Sequence, residues 1–388
     1  MKVLHISNKP VYPVVDGGCL AMSGLLDCLN YLKYDIHHFC ISTQKHPFIA
    51  SEYPENITIQ NVAIDTRLHP FQALKNLISG KSYHLARFED DHLKKALLEK
   101  IQLTSFDLII FDSLYSAVFI NEIRAFTSAK CIIRTHNIEH KIWIEIAENT
   151  RNPLKKWYLS TLSKQLLKAE KIILNSADGL LTITEDDRVG LESIGIKTPM
   201  KTISVPRETE TYKTEYSANS FYFIGSMNWE PNIDALNYLL HDIWPEIVKT
   251  LPEAQLFLVG SYMDQSKTKP QHSVIVKGFV QNLDDFYLNE GILLCPIRLG
   301  SGIRIKVLEA MSKGVPLISS SKGMEGIHSP KDCCIITDDP HDFAQQAITL
   351  STNSDQRKQL GENAREFIRK NHSIETIARQ LDEFARSL

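Results

Sequence analysis

The chain has 388 residues, of which 43% are apolar and 23% charged, and a formal net charge of −3. At ~150 residues per domain this length predicts two or three domains of a globular protein. The slightly acidic balance gives no case for nucleic acid as a partner. In chain order, short β-branched runs alternate with longer amphipathic ones, the pattern of an α/β protein with parallel sheets. KVLHIS (2–7) reads as a strand, followed by a Pro/Gly loop and the helical segment CLAMSGLLDCLNYL. DLIIFD (107–112) precedes LYSAVFINEIRAF, and KCIIRT (130–135) leads into HNIEH. DGLLTIT (178–184) precedes EDDRVGLESIG, whose acidic start suits a helix N-terminus. Near-continuous apolar strands imply a sheet covered on both faces.

The pattern then restarts. KTISVP (201–206) leads into the polar RETETYKTEYSANS, and a second doubly wound domain begins near 206 with its first strand around 220–225. NIDALNYLLHDIWPEIVKTLP (232–252) reads as one long helix, followed by the strands AQLFLVG (254–260), VIVKGFV (274–280), ILLCPI (292–297) and PLISSS (316–321). Sequence beyond about 340 reads as mostly helical, and ETIARQLDEFARSL is able to cross back onto the first domain. The expected division is 1–205, 206–370 and a C-terminal helix at 371–388. Two such domains in tandem would face a cleft, with functional residues just after the strands.

The seven cysteines show no C-x-x-C spacing and mostly sit inside apolar runs, which predicts buried reduced thiols. No stretch approaches ~20 uninterrupted apolar residues, and the apolar run of MKVLHISNKP is too short for a signal peptide. These features predict a cytoplasmic protein. The segment RNPLKKWYLSTLSKQLLKAEK (151–171) mixes six basic residues with Trp157 and Tyr158; it reads as a solvated helix face, or as a surface resting on an anionic membrane. The paired acids 186–187, 284–285 and 338–339 fit helix starts and turns better than a metal site.

The stretch LGSGIRIKVLEAMSKGVP (299–316) carries the most chemistry. It follows the strand ILLCPI, so Gly300, Ser301 and Gly302 form a strand-to-helix loop that a ligand can approach closely. Ile303 follows them, and the free N–H groups of the helix start suit a phosphate. Arg304 and Lys306 would add charge-assisted bonds to a diphosphate. Glu309, one turn further on, could accept hydrogen bonds from a ribose diol. An ordinary helix with a surface Lys306–Glu309 ion pair is the competing reading.

Further candidates follow other strands. Gly17 and Gly18 stand between the first strand and its helix, as a ligand-facing loop or a tight turn. His136 comes directly after KCIIRT; Glu139 either orients it or caps the next helix. Gly225 and Ser226 end the first strand of the second domain, and Gly278, Phe279 and Val280 end VIVKGFV.

ILLCPIRLGSGIRIKVLEAMSKGVPLISS resembles the donor-site signature of GT-B glycosyltransferases, specifically family four (group 1). FIGSMNWEPNIDAL (223–236) resembles the first strand and helix of that family's C-terminal domain, and VKGFVQNLDDFY (276–287) its base-reading loop. RTHNIEH (134–140) resembles the histidine segment of the N-terminal domain. The resemblance covers most of residues 1–330. It implies two Rossmann-like domains, one on the acceptor side and one binding the donor. It also implies retaining transfer from a nucleotide sugar, usually linked to UDP or GDP, with no metal and no cofactor. His136, Arg304 and Lys306 would be catalytic; Gly17, Gly18, Gly225, Ser226, Gly278, Phe279, Val280, Gly300, Ser301, Gly302, Ile303 and Glu309 would bind the donor. The acceptor would be a glycan or a lipid-linked sugar of a surface polysaccharide. Ser301 stands where many members carry a first glutamate, which removes a usual contact to the donor sugar. Two other functions keep the fold: a UDP-sugar 2-epimerase, or a sugar-nucleotide-binding module without turnover.

Overall fold

The computed structural model describes residues 1–209, 219–263, 273–280, 283, 287, 291–300, 302–329 and 331–388. The chain forms two compact units, Met1–Pro206 together with Ile374–Leu388, and Arg207–Ser373. Unit one is built on seven parallel strands: β1 (Lys2–Ser7), β2 (Asp35–Ser42), β3 (Thr58–Ala63), β4 (Leu108–Asp112), β5 (Lys130–Thr135), β6 (Gly179–Thr182) and β7 (Met200–Thr202). Their order is β3-β2-β1-β4-β5-β6-β7, so the winding reverses between β1 and β4. Its helices include α1 (Gly17–Tyr31), α2 (Pro70–Ser79), α3 (Tyr83–Ala86), α4 (Asp91–Leu103), α5 (Ile120–Arg124), α6 (Glu139–Glu148), α7 (Pro153–Leu174) and α8 (Glu185–Ser193).

The period of two along each strand explains the layering. Leu4, Ile6, Ile109, Phe111 and Ile133 enter one buried cluster, whereas Val3, Leu108, Ile110, Ile132 and Leu181 enter another. The central strands β1, β4, β5 and β6 therefore bury both faces, which is why they read as mostly apolar runs.

Unit two has six parallel strands: β8 (Ser220–Ile224), β9 (Gln255–Val259), β10 (Val274–Gly278), β11 (Ile292–Cys295), β12 (Leu317–Ser319) and β13 (Ile335–Ile336). The order β10-β9-β8-β11-β12-β13 puts its reversal between β8 and β11. Its helices include α9 (Glu230–Tyr238), α10 (Trp244–Thr250), α11 (Ile305–Ser312), α12 (Pro340–Thr352) and α13 (Ser354–Asn371). The single helix expected at 232–252 is interrupted by a wider turn at Leu239–Ile243. Pro245 has no N–H to donate to the preceding turn, so the regular ladder cannot run through it.

β8 and β9 are followed by Gly225 and Gly260, whose backbones nearly touch. Gly260 has φ +144°, and a Cβ built there would lie 2.0 Å from the Gly225 carbonyl oxygen. A side chain at that position is excluded by both sterics and conformation.

The last helix, α14 (Ile374–Ser387), belongs to unit one and packs on α1. Ile377, Ala378 and Leu381 are buried there, and the Tyr34 hydroxyl donates to Asp382. Each fully buried aliphatic side chain contributes about 2 kcal/mol. The expected class, two doubly wound sheets with a C-terminal helix returning to the first, is the observed one. All seven cysteines are buried and none forms a disulfide.

Candidate active site

In unit two the carboxyl ends of β8 and β11 meet at the reversal of strand order, where open α/β sheets bind ligands. The loop leaving β11 contains Gly300 and Gly302, both with φ +85°. A Cβ on Gly300 would come within 2.9 Å of Pro231, so the backbone turns there at a position only glycine fills without strain. Arg304 spans the loop: its Nη1 donates to the Gly302 carbonyl at 2.9 Å and its Nη2 to that of Leu299 at 3.3 Å. Glu325 lies 3.8 Å from the same guanidinium.

Lys306 sits in the first turn of α11 and reaches β8. Its Nζ donates to the Ile224 carbonyl at 2.6 Å and to Asn232 Oδ1 at 3.1 Å, above the Phe223 ring. Asn232 Nδ2 in turn donates to the Ser226 carbonyl at 3.0 Å. The lysine, α9 and the end of β8 are thereby joined in one small polar network. Burial, reinforced by the nearby Arg304 charge, pushes the Lys306 ammonium below its ordinary pKa. Lys306 is thus not the solvated half of a surface pair with Glu309. Glu309 is half-buried, and the Tyr287 hydroxyl lies 3.4 Å from its Oε2.

Gly225 is hydrogen-bonded to Val259, and Ser226 Oγ donates to Asn228. Ile303 is half-buried beside Arg304. Gly278, with φ +69°, accepts the Gly260 N–H, and exposed Phe279 and half-buried Val280 follow it at the end of edge strand β10. That strand lies two places from β8. Ser301 lies outside the described residues.

In unit one, Gly17 and Gly18 form the first turn of α1 rather than a free loop. Asp16 caps them, accepting from the Cys19 N–H at 2.8 Å and from Lys9 Nζ at 2.7 Å. His136, after β5, is held by Asp112 at the end of β4: Nε2 to Oδ1 is 2.6 Å. The second oxygen of Asp112 lies 2.9 Å from His5 Nε2 and 3.5 Å from Arg134 Nη1. His5 Nδ1 continues to His38 Nδ1 at 2.8 Å. Burial alone would raise the Asp112 pKa, but Arg134, His136 and His5 together hold it well below the usual carboxylate range. Among the described residues no three His, Cys, Asp or Glu side chains converge to hold a metal ion.

Glu139 takes neither role expected of it towards His136. It accepts from Tyr115 at 2.8 Å, and burial lifts its pKa to about 7. Asp112 is the orienting carboxylate instead. Sequence reasoning missed it, although an acid closing the apolar strand LIIFD at the reversal point was a usable signal.

Two buried histidines add a pH dependence. His38 is pushed well below its ordinary pKa by burial and the neighbouring His5, and burial with Arg87 lowers His84 to about 4. Both stay neutral in the folded chain while the unfolded chain takes up protons below about 6.5. Their stabilisation is therefore complete above about pH 6.5 and declines as the pH falls, by about 1.4 kcal/mol per unit and per histidine. Chemical denaturation at pH 7.5, 6 and 5 should give falling midpoints; a flat profile would contradict buried neutral rings.

Residues 218–353 match the family of group 1 glycosyl transferases. An uncharacterised 44.6 kDa protein in the cps region of Klebsiella pneumoniae is 23% identical over 389 positions, covering 97% of each chain. Among solved structures, a sucrose-phosphate synthase from Thermosynechococcus elongatus is similar with a TM-score of 0.70 at 16% identity, over 100% of this chain and 99% of that one. Anabaena Alr3699/HepE, solved in complex with UDP and glucose, is similar with a TM-score of 0.67 at 14% identity over 100% of both chains. The match to group 1 glycosyl transferases thus falls within unit two, and the chain has a GT-B-like fold of two parallel α/β sheets.

Proposed function

We propose that this chain is a retaining glycosyltransferase that moves a hexose from UDP, with GDP the next candidate, to a glycan or lipid-linked acceptor. The observation that carries the reading is the part-buried Lys306 ammonium at the β8–β11 reversal, beside two positive-φ glycines and the start of α11. Transfer breaks the bond between the anomeric carbon and the β-phosphate oxygen, and the electron pair leaves with the phosphate. Lys306 and Arg304, with the α11 N-terminus, meet the charge that develops there. The acceptor hydroxyl adds to the same face of the sugar and its proton passes to the departing phosphate. Fixed cations do this well because they need no reorganisation as the bond breaks. Glu309 is assigned to the ribose, with Gly225, Ser226 and the 300–303 loop along the diphosphate and Gly278 to Val280 at the base.

In unit one we assign His136 to the transferring sugar, a role supported by its 2.6 Å bond to Asp112, which fixes the ring. Gly17 and Gly18 are assigned to the donor phosphates. The cps-region relative supports a surface polysaccharide as the product, and the UDP and glucose bound by Alr3699/HepE support the donor class. Nucleotide sugars place the reaction in the cytoplasm; none of the described helices is long and apolar enough to cross a membrane.

The reading is tested by incubating the protein with a panel of UDP- and GDP-sugars and a lipid-extracted acceptor fraction, then resolving the products by NMR. Sugar transferred with its anomeric configuration retained is the expected result. Release of a C2-epimerised sugar without acceptor would make the chain an epimerase, and binding without any product would make it a binding module.

A further inference from the structure

Behind His136 a line of polar side chains runs across four adjacent strands, β5, β4, β1 and β2. Asp112 closes β4, His5 lies within β1, and His38 is the register partner of His5 on β2. All three are buried, among fully buried neighbours such as Leu4, Ile6 and Phe39. An aliphatic side chain at position 5 or 38 would fill the same space without taking a polar ring out of water. The two histidines cost the sheet stability, which points to a use other than packing.

Donors and acceptors along the line follow from chemistry. Asp112 is held well below the usual carboxylate range, so it is ionised and only accepts. The nitrogens that touch it, His136 Nε2 at 2.6 Å and His5 Nε2 at 2.9 Å, must both carry hydrogen. The Nδ1 atoms of His5 and His38 face each other at 2.8 Å, a pair that needs one hydrogen between them. Around the line stand Arg134, 3.5 Å from the second oxygen of Asp112, and, beside His38, Ser7 at 3.4 Å and the stacked ring of Tyr53. The two oxygens of Asp112 are thus committed to different rings. His5 holds Oδ2, which stops the carboxylate turning and aims Oδ1 at His136. His136, 14% exposed, keeps Nδ1 as its other nitrogen, which has no hydrogen-bond partner among the described residues.

We propose that His5, backed by His38, is a positioning residue for His136 that acts through Asp112. It holds one carboxylate oxygen so that the other keeps His136 in a single tautomer, with Nε2–H on Asp112 and the Nδ1 lone pair open to a hydroxyl of the transferring sugar. Sharing the carboxylate between two rings also limits the negative charge that His136 meets. This role rests on the assignment of His136 to the transferring sugar.

The test compares wild type with His5→Leu, with His5→Gln, which returns an N–H donor to Asp112, and with His5→Leu/His38→Leu, which orphans no ring. Each is measured for thermal midpoint and for kcat and KM of transfer across the pH range. The His136 tautomer is read by NMR of protein labelled with heavy nitrogen in its histidines, the signals identified by their loss in His136→Gln. Wild-type His136 should show hydrogen on Nε2 and a bare Nδ1. His5→Leu and the double variant should lose roughly tenfold or more in kcat with little change in KM, and His5→Gln should recover most of it. In the leucine variants the acid side of the rate profile should also move to higher pH. The whole charge of Asp112 then faces His136 and favours its protonated ring, which has no free lone pair. A purely structural role would lower the thermal midpoint and leave kcat and the pH profile of the folded protein as they are. That outcome, or a wild-type His136 with hydrogen on Nδ1, would overturn the proposal. If wild type transfers no sugar but His5→Leu still loosens the His136 tautomer, the clamp stands and the transferase reading falls.

Discussion

Replacing Lys306 by methionine should lower transfer by about 10²–10³-fold while leaving the protein at least as stable as wild type. The two halves of this result have one cause. Lys306 holds a part-buried ammonium at the end of β8, and its depressed pKa records the cost of that partial desolvation. Methionine keeps the length and apolar stem of the side chain and removes that cost. It leaves the Ile224 carbonyl and Asn232 Oδ1 without this donor, which offsets part of the gain. A lysine kept only for packing would show the opposite pattern, with stability lost and activity preserved. Single-turnover rates and thermal melts on the same preparation separate the two.

Asp112→Asn should be the more damaging change to folding, by about 3–5 kcal/mol, because it leaves the buried Arg134 guanidinium without its carboxylate. It should also lower activity, since His136 loses the group that fixes its ring. The sign of the pH effect follows from the depressed Asp112 pKa. Its stabilisation is present above the free carboxylate value of about 3.9 and is lost as the pH falls below that, when the unfolded chain takes up a proton the folded one resists. The asparagine variant has no such dependence. The gap in unfolding free energy between wild type and variant should therefore narrow below about pH 4. A constant gap would mean that Asp112 is not the ion described.

Much of the fold was legible because parallel strands buried on both faces read as short apolar runs. β1 and β5 coincide with KVLHIS and KCIIRT residue for residue. β2 was not legible. DIHHFCIS carries two histidines that look polar, and only the stacking of His38 between His5 and Tyr53 makes that position an interior one. The long helix at 232–252 failed at Pro245, a local rule that the apolar pattern overrode in the reading.

The glycine loop at 300–302 was the easiest part of the candidate site to find, since glycines and cations opening a helix after a strand have a direct electrostatic meaning. Where those cations point was not legible. Lys306 turns back to β8 through a contact distant in sequence, and Arg304 folds back to tie its own loop. Asp112 and His136 are likewise 24 residues apart and meet only because β4 and β5 are neighbours. The exposure of Phe71, Leu74 and Ile78 on α2 is invisible for a related reason. An amphipathic pattern says that one face is apolar, and only the fold says that none of the described residues covers it.

The central claim is that residues 299–316 bind a nucleoside diphosphate. Calorimetric titration of UDP, GDP and ADP into wild type and Glu309→Ala tests it most directly. One diphosphate, UDP first, should bind wild type and lose about tenfold or more in the variant, or at least about 1.4 kcal/mol. If none of the three binds, or the variant binds as tightly as wild type, 299–316 is not the donor site and GSGIRIKVLE is an ordinary charged helix start.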